Sequence, residues 1–120
     1  MASSRIFVLN RAGHDYTPAK KFGEEIIPLT IGNINIFNIE RNCFMLLEKL
    51  IINNYDPEKD YLVLSGNLIL GFSLGMVMGK IYQKIRVLVF DSSTREYNLK
   101  EINLQGLEVA LKDILTEINA

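Results

Sequence analysis

The sequence contains one cysteine, Cys43, one histidine, His14, and no tryptophan. A single thiol excludes an intrachain disulfide, and a reducing compartment is the simplest setting for it. One imidazole and one thiol fall short of the about four soft ligands a structural zinc site takes, so no metal centre is expected, although carboxylates could still hold a hard cation. Charge of one sign is also lacking: 13 Lys and Arg stand against 14 Asp and Glu, a net charge of −1. That balance supplies no broad attraction for phosphates, and Arg11, Lys20 and Lys21 read as a solvated loop group. A nucleic-acid partner is therefore not expected.

Export and membrane signals are equally scarce. Arg5 is followed only by the short apolar run Ile6 to Leu9 with no cleavage pattern, so secretion is not expected. The stretch Leu62 to Gly79 carries no charge and is about as long as a membrane span. Ser65-Gly66-Asn67 interrupts it with turn and cap residues, so strand, turn and helix are expected in place of a span.

What remains is an ordinary globular composition, 48% hydrophobic and 22% charged over 120 residues, which fits one domain spanning 1–120. Ile6 to Leu9, Tyr61 to Leu64 and Ile85 to Phe90 are continuous apolar runs rich in strand formers, as buried parallel strands require. Ile26 to Ile31 contains Pro28 and reads as a short or edge strand. Thr17-Pro18 can open a helical turn inside the polar segment Arg11 to Glu25. Helices are expected from about Phe37 to Asn53, with Ile39, Cys43, Leu46, Leu47, Leu50 and Ile51 on the apolar face, from Asn67 to about Gln83, and from Gln105 to Ile118. The last should dock on the sheet. Asp91 to Thr94 is turn-forming, and Arg95 to Leu99 can return as an antiparallel edge strand. The fold class this implies is α/β, a small Rossmann-like three-layer domain with a mostly parallel sheet.

Open parallel sheets bind ligands beyond the carboxyl ends of their strands. That rule selects Asn10, Arg11, Gly13, His14, Asp15 and Tyr16 after the first strand, Ser65, Gly66 and Asn67 after the middle one, and Asp91 after the last parallel one. Ser65-Gly66-Asn67 could present backbone N–H groups and a helix terminus to an anion, or serve simply as a turn and N-cap. His14 is the one side chain that titrates near neutrality, while Asp15 beside it faces the other way in an extended segment. Cys43 lies on an apolar helix face and behaves as a small hydrophobe, so no nucleophile–base set is assembled. Gly71, Gly75 and Gly79 recur every four residues along one stripe, which suits tight packing of the helix or contact with a second copy.

The stretch Val8-Leu9-Asn10-Arg11-Ala12-Gly13-His14-Asp15-Tyr16, with Ala19, Phe22-Gly23-Glu24, Leu29-Thr30 and Tyr61 to Leu64, resembles a family of small proteins encoded by bacteriophages and prophages. The likeness runs on to the strand ending at Phe90, and Asp91 to Ala120 looks like an extension. The resemblance implies a viral protein in the host cytoplasm and draws attention to Asn10 to Tyr16; it carries no catalytic residue over. The leading reading is a cofactor-free binding module for a small anionic ligand, a nucleotide by class, with sequestration of a host signalling nucleotide as one use. The others are a non-catalytic interaction protein assembling as a homo-oligomer through the glycine-striped helix, and a small hydrolase using His14 and Asp15.

Overall fold

A computed structural model of the chain describes residues 4–11 and 15–120. Five strands form one sheet: β1 (Arg5–Arg11), β2 (Glu25–Ile31), β3 (Tyr61–Val63), β4 (Lys84–Asp91) and β5 (Glu96–Asn103). Their order is β2-β1-β3-β4-β5, parallel except for the antiparallel pair β4–β5. The expected small Rossmann-like α/β layer structure is the one found. Pro28 sits in edge strand β2, where one side of the strand has no ladder to interrupt.

The apolar run of β1 is continuous because both faces of the sheet are covered. Phe7 and Leu9 meet α1 (Ile39–Ile52) and α2 (Leu68–Ile81), where Leu46, Leu50, Leu70 and Leu74 are fully buried. Ile6 and Val8 point the other way, onto Tyr16, Ala19 and Phe22 in and beside a short 3₁₀ helix, Thr17–Lys21. Pro18 opens that turn as its fixed φ allows. Asn38 caps α1 by accepting from the Arg41 N–H at 3.2 Å, and Asn54, at φ +53°, ends it. The buried stripe of α1 is Asn42, Leu46 and Leu50, so Ile39 and Ile51 are left exposed. Asn42 is tolerated inside because its Nδ2 donates to the Asn35 carbonyl at 2.9 Å.

Two further expectations are revised. A Cβ on Gly71 would lie 3.7 Å from Leu9, an ordinary contact, but at Gly75 and Gly79 it would meet open space. Tight packing therefore does not account for the glycine stripe. Helix α3 (Gln105–Ile118) does not dock on the sheet, and all its residues are exposed. The register explains this: Asn98, Lys100 and Ile102 of β5 stand opposite Val89, Val87 and Ile85, so the α-side face of the edge strand is mostly polar. An apolar stripe finds little there to pack on. The molecule measures 52 Å in its longest direction against 34 and 33 Å in the others, and a helix of about 21 Å is long enough to account for the excess. Among the described residues no helix is long and apolar enough to cross a membrane.

Candidate functional site

The carboxyl rim of the sheet gathers residues far apart in sequence. The Ser65 hydroxyl donates to the Asn10 carbonyl at 2.9 Å, and the Asn10 amide N–H reaches back to Ser65 Oγ at 3.4 Å. Gly66 follows at φ +98°, and a Cβ there would come within 3.0 Å of Asn10 Cβ, so a glycine is needed for both backbone and space. Asn10 Nδ2 donates to the Gly32 carbonyl beyond β2, while its Oδ1 is buried without a partner among the described residues. Asn10, Ser65 and Gly66 thus form one packed unit across β2, β1 and β3. Asn67 caps α2, its Oδ1 accepting from the Ile69 N–H at 2.7 Å. Gly13 and His14 lie outside the described residues.

A cavity of about 490 Å³ opens on this rim between the segment Val63 to Gly66, the end of β4 from Val87 to Phe90, and Tyr97 of β5, with Asp15 and Tyr16 closing one side. It exists because a five-residue 3₁₀ helix covers less of the sheet than an α-helix would, leaving the upper ends of β4 and β5 open on that face. Its walls are mainly apolar. Phe90 and Tyr97 are cross-strand partners with ring centroids 5.1 Å apart, and Phe90 remains 47% exposed. Tyr16 is buried, and its hydroxyl donates to the Asn10 carbonyl at 3.2 Å.

A second cavity of about 330 Å³ shares Asp15 and Tyr16 with the first and adds Arg11, Thr17, Lys20 and Glu24. It is polar, with two cations and two carboxylates around it. Asp15 stands on the shared wall. Its Oδ1 accepts from the Thr17 N–H at 2.9 Å, and the Thr17 hydroxyl and N–H hold its carboxyl below the ordinary carboxylate range, so it is ionised at neutral pH. Burial, with the neighbouring Tyr16 and Asp15, pushes the Tyr97 phenol up, which keeps it neutral. Asp91 is turned away into its own turn, accepting from the Ser93 hydroxyl at 2.6 Å and the Ser93 N–H at 2.9 Å. No cluster of three metal-ligating side chains occurs among the described residues.

Phe90, Tyr97 and Lys20 also line the walls, and the carboxyl-end rule marks none of them in the sequence. Phe90 was within reach, as the last aromatic of a strand ending on the rim. Tyr97 needed the hairpin register, which pairs it with Phe90. Lys20 needed the position of the 3₁₀ helix.

The fold and rim define a small α/β protein with a mostly parallel sheet, whose loop-side cavities are open to solvent. No curated protein and no solved structure matches the chain. Residues 4–104 match the family described as Phage Pam3 gp32-like protein, and the chain belongs to that family. The match takes in β5, so the part of the chain beyond it is α3 rather than everything after Asp91.

Proposed function

We propose that this phage-family protein is a binding module for a small ligand with a flat apolar part and an anionic part, the chemistry of a nucleotide. The observation that carries the reading is the adjacency of two unlike cavities across one wall. The larger offers Phe90 and Tyr97 to an aromatic ring, and the smaller offers Arg11 and Lys20 to a phosphate. Asp15, ionised on the wall the two cavities share, would accept from a sugar hydroxyl of a ligand that spans them. In a phage setting such a module would sequester or alter a host signalling nucleotide. The hydrolase reading depends on His14, outside the described residues, and no observation favours it.

Isothermal titration with mono-, di- and cyclic nucleotides and the matching nucleosides tests this. Lys20→Ala should weaken nucleotide binding about tenfold and leave nucleoside binding unchanged. Phe90→Ala should weaken both by about tenfold. If no nucleotide of the panel binds, the reading is wrong.

A further inference from the structure

Helix α3 carries Leu107, Leu111, Ile114, Leu115 and Ile118 along one stripe, and all five are exposed. A 14-residue helix without tertiary contacts is marginal in water, and an apolar stripe of this size signals a missing partner surface. The same chain holds an unfilled apolar groove of about 320 Å³ between α1 and α2. Phe44 and Leu47 line it from α1, Met76, Val77 and Ile81 from α2, and Lys80 is its one charged wall residue. We propose that α3 of one copy lies in the α1–α2 groove of a second copy, and reciprocally, so that the protein is an arm-exchanged dimer. This does not depend on what the rim cavities bind.

Three observations commit the groove to a second copy. The first is the joint. Leu104 alone separates β5 from α3, and its N–H is held by the Gln83 carbonyl at 2.7 Å, so there is no linker with which α3 could fold back over its own α2. Short joints of this kind favour exchange between copies. The second is charge: α3 carries Glu108, Asp113 and Glu117 against Lys112, and at about 3.6 residues per turn Glu108 and Glu117 border the stripe on its two sides, where Lys80 can face one of them. An excess of acid on α3 also disfavours pairing of two α3 helices with each other. The third is area. Stripe and groove together offer on the order of 1,000 Å² of surface, which a two-fold exchange doubles to about 2,000 Å², the size of a stable dimer interface.

Light scattering on the full chain should give twice the monomer mass. Ile114→Glu on the helix and Phe44→Glu in the groove change residues that are 53% and 63% exposed, so both variants should retain the wild-type circular dichroism of the sheet domain. Each should raise the dimer dissociation constant by about thirtyfold or more. Lys80→Glu should raise it about tenfold. Mixing the two monomeric variants restores one helix–groove contact and should yield a heterodimer. A monomeric wild-type chain overturns the proposal. So does a dimer lost with Ile114→Glu but kept with Phe44→Glu, which would mean that α3 pairs with α3, and so do two variants that stay monomeric when mixed.

Discussion

Tyr55 shows how a single polar atom can work against its own side chain. Its ring packs edge-on against Phe7 and Tyr82, with centroids 5.3 and 5.2 Å away, while its hydroxyl is buried with no hydrogen-bond partner among the described residues. Burial pushes its pKa well above the ordinary tyrosine value of 10.0. The unfolded chain therefore ionises at this position first, and stability is lost as pH rises from that value toward the higher folded one. Tyr55→Phe keeps the packing and removes the unpaired hydroxyl. It should leave stability unchanged or raise it by up to about 1 kcal/mol in urea denaturation at neutral pH, with a larger advantage over the wild type at alkaline pH.

The β3–α2 unit contains two glycines with opposite roles. Gly66 is held at φ +98° against Asn10, so Gly66→Ala is both strained and crowded and should destabilise by about 2 kcal/mol. Gly75 lies inside α2 with open space where a Cβ would go, and Gly75→Ala should stabilise by about 1 kcal/mol through helix propensity alone. Thermal unfolding of the two variants should shift in opposite directions. Their spacing from one another in the sequence gives no hint of this. Gly66 was legible as a turn residue beside Ser65 and Asn67, whereas the glycine stripe suggested close packing that only Gly71, beside Leu9, approaches.

For the whole molecule, the amino end of the sheet is tied by an ion pair whose carboxylate, Asp60, is buried and whose guanidinium, Arg5, is partly exposed. Asp60 accepts from the Arg5 backbone N–H at 3.1 Å and from Arg5 Nη2 at 3.0 Å, and the Asp56 N–H donates to it at 2.8 Å. The Arg5 guanidinium also donates to the carbonyls of Asn53 and Asn54. The start of β1, the end of α1 and the approach to β3 are thereby tied at one point. Asp60→Ala would leave the guanidinium short of its counter-charge and the Asp56 N–H unpaired, and should cost about 3 kcal/mol, read from the shift of the urea midpoint.

The sequence by itself determined the elements and the layer class. Continuous runs such as Ile6 to Leu9 read as strands covered on both faces, Ser65 to Asn67 as turn and cap residues before the next helix, and Pro28 as the mark of a short or edge strand, and the fold contains each of them. Rim residues Asn10, Ser65 and Gly66 were legible as well, because the carboxyl ends of parallel strands share one side of a sheet. Tertiary structure alone decided what each element packs against. A 3.6-residue period states that α3 has an apolar face, but whether its own sheet can receive that face depends on the register that turns Asn98 and Lys100 toward it. The aromatic cavity was hidden for the same reason, since Phe90 and Tyr97 meet through hairpin pairing, and the cavity stays open because the 3₁₀ helix is too short to close it.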